Sequence, residues 1–257
     1  FISSFLGLLM SASYNIYTMI LIIPQSGISI IISAIKGSIG NYFSVESAER
    51  KYGMFKLLSF IFFWLASFCA ICLACLYQNF ICLWVGSSML LPFSVVAASA
   101  LLFLVTTIGS MLEMVKDITG IYWENRWTPL VEMAVNIVLD ILCIQHWGVQ
   151  GVLFATAASI ALITLPSDLA VLFKHYFHVP PARYLLAALL FACIAAGAAA
   201  ATLGLCSLQE GNGLAAFIIR IGICLIVPNL VFTAAFFRTD NFKVLLGTAR
   251  QILGKEA

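Results

Sequence analysis

The chain has 257 residues, of which 63% are hydrophobic and only 9% charged, with a formal net charge of +2. A soluble domain is about half apolar and about a quarter charged, so this balance excludes an ordinary soluble fold and points to an integral membrane protein. The small net charge excludes little; the placement of the charges is what informs.

A spanning helix needs about 20 mostly apolar residues. By that measure a partial run covers 1–12, and full runs lie near 14–40, 56–77, 89–111, 129–147, 149–173, 184–206 and 214–237. The expected fold is therefore all-α, a polytopic membrane bundle of about eight transmembrane helices. Eight long apolar runs exclude a transmembrane barrel, whose strands alternate apolar and polar residues. The chain opens on Phe1, without an initiator methionine and inside an apolar run, which predicts a fragment of something longer.

The first full run exceeds one perpendicular span, and predicts a helix that tilts, kinks or extends into the interface. Within it lies "IIPQSGI", from Ile22. Pro24 removes a backbone donor and frees the carbonyl four residues earlier. In lipid such a group is tolerated only against protein or water. With Gln25, Ser26 and Gly27 at the same depth, the stretch predicts a hinge at Pro24 and Gly27 whose broken turn faces a hydrated cavity; a kink serving packing alone is the other reading. Asn15 with Gln25 and Ser26 extends a polar stripe along this helix, and the neighbouring Tyr14 and Tyr17 read as interface anchors.

Cys69, Cys72 and Cys75 follow at three-residue spacing in the second full run. No histidine or acid lies beside them, so they read as small apolar filler. Thr128 and Pro129 read as a helix start, threonine as cap and proline in the first turn. Trp123, Trp127 and Trp147 bracket the helix that follows, as interfacial aromatics do. On that helix Glu132, Asn136 and Asp140 are spaced by four and share one face. Glu132 sits in the first turn, where a carboxylate also complements the helix N-terminus. Asp140 lies about 18 Å beyond Thr128, well inside the hydrocarbon. A carboxylate there must be protonated, paired or hydrated, which leaves a polar or ion pathway and a structural interhelix hydrogen bond both open. Asp168, beside Pro166, reads as a local structural residue at a helix end. The segment "AAGAAAATLG", from Ala195, predicts a small-residue face for close helix packing. Arg220, near the start of the last full run, either snorkels to the interface or faces a polar cavity.

Basic residues fall in alternate loops. Lys36, Arg50, Lys51 and Lys56 flank the first, Lys116 and Arg126 the third, Lys174 and Arg183 the fifth, and Arg238, Lys243, Arg250 and Lys255 crowd the tail. The loops near 78–88, 147–148 and 207–213 carry no lysine or arginine, and Glu210 is the one charge in them. Short basic loops stay cytoplasmic, so both ends of the chain are expected on that side. No catalytic constellation, phosphate-binding glycine loop or metal-ligand set is visible. His175 and His178 are three apart, with no third ligand adjacent. The expectation is a protein that is not an enzyme and carries no cofactor.

Several stretches together resemble the C-terminal part of bacterial polysaccharide-export (O-antigen-type) flippases of the multidrug/oligosaccharidyl-lipid/polysaccharide exporter superfamily. They are "YNIYTMI" from Tyr14, "SIGNYFSVE" from Ser38, "FICLWVG" from Phe80, "GIYWENRWTPLVEMAVNIVLDILC" from Gly120 and "WGVQGVLFAT" from Trp147, covering roughly 1–175. The likeness is spread over many positions, with no single decisive motif. It implies two six-helix lobes around a central cavity plus two extra helices. Residues 1–175 would be the second lobe, its first helix truncated, and 176–257 the two extra helices and a cytoplasmic tail. It also implies alternating-access translocation of an undecaprenyl-linked oligosaccharide across a bacterial plasma membrane. The implied partners are that substrate, membrane lipids and polysaccharide assembly proteins, with no nucleic acid. The candidate pathway residues, read from their polarity at membrane depth and not from the resemblance, are Asp140, Asn136, Glu132, Asn15, Gln25, Ser26 and Arg220. Two rivals stand beside it. One is an exporter of drugs or other amphiphiles from the same superfamily. The other is a membrane polymerase or glycosyltransferase, which the near absence of charge in the outer loops disfavours.

Overall fold

A computed structural model describes residues 8–252 except 210 and 212. Among the described residues the chain is helical throughout, with no strand. Its elements are α1 (Leu8–Val45), α2 (Ala48–Trp84), α3 (Phe93–Thr119), α4 (Thr128–Trp147), α5 (Val149–Phe177), α6 (Ala182–Ser207), α7 (Leu214–Phe236) and the short C-terminal α8 (Asp240–Ile252). Seven of these, α1 to α7, are long and apolar enough to cross a membrane. The architecture is an all-α polytopic bundle.

The first two apolar runs differ from their expected separation. Residues 8–45 form one continuous helix with no turn near 13, and residues 1–7 lie outside the described set. The polar residues there do not break the helix because they bond locally or pack. Thr18 Oγ1 donates to the Tyr14 carbonyl at 3.0 Å, and Ser13 is buried, its hydroxyl 3.5 Å from Met89 Sδ. Tyr17 is likewise no interface anchor. It is 1% exposed, stacks on Tyr77 with ring centroids 5.1 Å apart, and its hydroxyl accepts the Leu91 amide at 2.9 Å. The Tyr77 hydroxyl in turn donates to the Tyr17 carbonyl. A tyrosine amid neighbouring helices finds partners for its hydroxyl without reaching an interface.

α3 is the central helix, packed against α1, α2 and α5. Its hydroxyl side chains turn back on their own helix: Ser99, Thr106, Ser110 and Thr119 each donate to the carbonyl four residues earlier. That satisfies their donors within the helix itself. The main core joins Phe43 of α1, Phe55 and Phe62 of α2, Phe103 and Met111 of α3 and Phe173 of α5. α6 and α7 pack on each other and dock on α2 through Phe60, Ile71, Phe191, Ala198 and Phe232. A Trp64 Nε1 bond to Asn229 Oδ1 at 2.9 Å fixes that docking.

The small-residue face of α6 splits in two. Ala198 and Thr202 are buried in the α2–α7 contact, whereas Ala195, Ala196 and Ala199 line a groove of about 610 Å³ between α6, α2 and α3. A Cβ at Gly197 or Gly204 would meet nothing within 4 Å, so neither glycine admits a close helix approach. The glycine that does is Gly151: an added Cβ there would sit 2.4 Å from the Cys143 carbonyl oxygen. Its absence of side chain lets α5 fold tightly back on α4 after the turn at Gly148, where φ is +63°.

α4 starts at Thr128, but the threonine is its first residue, not its cap; Trp127 precedes it and no side chain caps the end. The Thr128 hydroxyl bonds Asn125 and Ser167 instead. Trp123, Trp127 and Trp147 are all exposed, as expected of interfacial residues. Pro166 lies within α5 and cannot donate to Leu162. The preceding five residues, Ile160–Thr164, widen into a π-helical turn that absorbs the lost bond.

Candidate polar cleft between α1 and α3

Seven antiparallel spans gather the basic loops at one end of the bundle. Because 8–45 is a single helix, α1 starts at the opposite end from α8, which corrects the expectation of about eight spans with both chain ends on one side. Arg220 is the exception, near the opposite end. At the basic end, α1 and α3 part to leave a cleft of about 310 Å³. α1 contributes Gln25, Ile28, Ser29 and Ile32, one helix face at i, i+3, i+4 and i+7. α3 contributes Thr106, Thr107, Ser110, Glu113, Met114 and Asp117. Gln25 is half-buried against this wall, one residue past Pro24, while Ser26 and Gly27 point to the exposed side of α1. α1 stays helical through Pro24. Ile20 still loses its usual donor there, since proline has no N–H to give.

The mouth of the cleft is closed by an ion pair. Lys36 Nζ approaches Asp117 Oδ2 at 2.6 Å, and the Tyr122 hydroxyl donates to Asp117 Oδ1 at 2.9 Å. That bond to a carboxylate raises the Tyr122 phenol above its ordinary pKa. Glu113, one turn deeper, is exposed and enters no ion pair among the described residues. Among the described residues Glu113 is therefore the one carboxylate of the cleft outside an ion pair, its charge still felt by Lys36.

Behind it, α3 is locked to α5. Lys116 Nζ donates to Asp168 Oδ1 at 2.6 Å, and Asn125 Nδ2 donates to the same oxygen at 2.5 Å. Ser167 Oγ donates to Asn125 Oδ1 at 2.8 Å. Asp168 is thus a structural anchor between helices, more than a local end residue.

The other expected pathway residues fall elsewhere. Glu132 and Asn136 face α5, not the cleft. Ser159 Oγ, fully buried, donates to Glu132 Oε1 at 2.6 Å and receives Asn136 Nδ2 at 3.2 Å. Asp140 continues the same face, and its Oδ1 is buried without a hydrogen-bond partner among the described residues. Asn15 is exposed and away from the cleft lining. Arg220 donates from Nη2 to the Gln209 carbonyl at 2.8 Å, tying down the turn between α6 and α7. Glu210 lies outside the described residues. The structure joins Gln25 to a polar wall; the Glu132–Asp140 stripe, Asn15 and Arg220 occupy three other places.

The polar wall of α3 was not anticipated from the sequence, although its signal is there. Thr106, Ser110, Glu113 and Asp117 recur at i, i+4, i+7 and i+11 in "TTIGSMLEMVKD", one helical face. No family model, curated protein or solved structure matches this chain.

Proposed function

We propose that this chain supplies part of the second lobe, the five spans α1 to α5 in place of the six expected, and two additional helices, α6 and α7, of a bacterial plasma-membrane flippase. It moves a lipid-diphosphate-linked oligosaccharide, undecaprenyl-linked, between leaflets by alternating access. The basic end of the bundle is cytoplasmic. The observation that carries this reading is a polar cleft between α1 and α3, with Gln25 beside Pro24 on one wall and Thr106, Ser110, Glu113 and Asp117 on the other. Polar groups at membrane depth mark substrate and ion paths, because each is costly there without a function or a partner. Sugar hydroxyls suit such a wall: the Gln25 amide donates and accepts, while the Glu113 and Asp117 carboxylates and the oxygens of Thr106 and Ser110, whose own O–H groups are bonded to α3, accept. In this reading α1 flexes at Pro24, where the Ile20 carbonyl lacks its helical donor, to open and close the cleft, and Gly27 adds slack on the exposed side.

The unpaired Glu113 favours a second reading, an exporter of cationic amphiphiles, since a diphosphate gains nothing from a lone carboxylate. Glu113→Gln in the intact parent protein separates the two. Under the flippase reading, lipid-linked oligosaccharide accumulates in the cytoplasmic leaflet when the protein is lost, and drug tolerance is unchanged. Normal polysaccharide export in cells lacking the protein, with lowered tolerance of cationic amphiphiles that Glu113→Gln fails to restore, rejects the flippase in favour of the exporter.

A further inference from the structure

Four of the eight cysteines converge where α2, α6 and α7 meet. The Sγ atoms of Cys75, Cys206 and Cys224 all lie within 4.8 Å of one another. Cys72, one turn before Cys75 on α2, also reaches Cys224. All are free thiols; Cys206 and Cys224 are buried, Cys72 and Cys75 half-buried.

Cysteine packs in a membrane bundle as a small apolar side chain. Packing alone, however, asks only for a small side chain at each position and does not ask that sulfurs from three separate helices face one point. A single zinc ion bonds thiolates tetrahedrally at about 2.3 Å, which sets its ligands about 3.8 Å apart. The three sulfurs here, within 4.8 Å of one another, need to draw together by up to about 1 Å to share one ion. Cys72 lies outside that group of three but already reaches Cys224, and it is the side chain at hand for the fourth position that a structural rather than a catalytic site fills.

The surroundings fit the charge such a site carries. Zn²⁺ with four thiolates has a net charge of −2, which apolar surroundings oppose. Arg220 lies one turn before Cys224 on α7, and its positive charge acts on Cys206. Its Nε is buried with no hydrogen-bond partner among the described residues. A guanidinium beside the cluster offsets part of the negative charge, and that N–H has a thiolate to turn to.

We propose that Cys72, Cys75, Cys206 and Cys224 form a binding site for one thiophilic d¹⁰ cation, zinc, that staples α6 and α7 to α2. Binding is not a redox step. Each ligand thiol loses its S–H proton to solvent as its sulfur–zinc bond forms, so affinity falls as pH falls. The site is independent of the polar cleft and of the transport reading.

The test uses the full chain purified in detergent under reductant. Elemental analysis is expected to give about one zinc per chain. Titration with Co²⁺ in place of zinc is expected to give an intense sulfur-to-cobalt charge-transfer band. Cys224→Ser and Cys75→Ser each lower metal content at least tenfold, while Cys143→Ser and Cys193→Ser leave it unchanged. Chelation lowers Tm in the parent chain and not in Cys224→Ser. Because a serine variant can fail to fold, the parent chain also decides alone: reduced, folded protein that holds no zinc and shows no charge-transfer band with Co²⁺ overturns the site. A disulfide among these cysteines in protein that takes no metal after reduction overturns it equally.

Discussion

Lys116 and Asp168, 52 residues apart in sequence, meet at 2.6 Å and are the most deeply buried ion pair among the described residues, their side chains 15% and 1% exposed. The pair joins α3, which walls the polar cleft, to α5. Asn125 and Ser167 complete the hydrogen bonding that a desolvated carboxylate requires. Removing one partner strands the other charge. Lys116→Met alone is expected to cost about 3–5 kcal/mol, as broken buried pairs do, while Lys116→Met with Asp168→Leu recovers much of the loss. Thermal unfolding of the detergent-solubilised variants measures both. Equal loss in the single and double variants would show that the hydrogen-bond network, not the charge pairing, holds these helices.

The hairpin of α4 and α5 rests on a backbone approach. Gly151→Ala places a methyl 2.4 Å from the Cys143 carbonyl oxygen, backbone that cannot swing aside. The expected cost is about 1–3 kcal/mol, in the range of overpacked sites. Gly197→Ala, with open space around it, is expected to be neutral or slightly stabilising through helix propensity. The two melting temperatures side by side check the contrast.

Ser159 holds the polar stripe of α4 against α5, and is fully buried while bonded to Glu132 and Asn136. Ser159→Ala is expected to cost about 1.5–3 kcal/mol, the worth of hydrogen bonds to a charged group. Asp140→Asn, which adds a donor to a group whose Oδ1 has no partner, is expected to leave protein abundance unchanged. If Asp140 serves transport, that same variant loses export at normal abundance; full export assigns it a structural role.

Gln25 and Pro24 are expected to separate folding from transport. Gln25→Leu removes the amide from the cleft wall and is expected to slow substrate passage about tenfold, equivalent to about 1.4 kcal/mol of barrier, with membrane insertion unaffected. Asn15→Leu, outside the cleft, is expected to leave the rate unchanged. Pro24→Ala restores a helical hydrogen bond and is expected to impair the cycle more than stability. A cysteine at position 25 that resists water-soluble thiol reagents in every conformational state would remove the cleft from the pathway.

The charge map makes a topological prediction. Arg50→Cys is expected to react with impermeant maleimide only after permeabilisation of cells, and Leu208→Cys in intact cells, each read against the parent chain as blank. Both positions are exposed, so access depends on the side of the membrane alone. Labelling at Arg50→Cys in intact cells inverts the map.

How much of this was legible in the sequence follows from where each constraint acts. The hydrocarbon of a membrane forces the backbone to satisfy its own hydrogen bonds, so an apolar run of spanning length is a helix whatever surrounds it. That is why six of the seven spans, the turn at Gly148 and the exposed tryptophans could be placed, α4 to α7 to within four residues at each end, although α2 (Ala48–Trp84 against 56–77) and α3 (Phe93–Thr119 against 89–111) run up to eight residues past their apolar cores. The break near residue 13 was misplaced because a few hydroxyls look polar in a sequence but bond their own helix in a structure, as Thr18 does. What the sequence could not decide were pairings between distant helices. Asp168 looked like a local end residue until Lys116 was brought to it. Tyr17 looked like an interface residue until Tyr77 and Leu91 enclosed it. Cys75 gave no sign in the sequence of the sulfurs of Cys206 and Cys224, which reach it from helices more than a hundred residues later. Helical periodicity fixes which face a side chain occupies, but the face it meets is set by packing among all the helices at once. Only the tertiary structure contains that information.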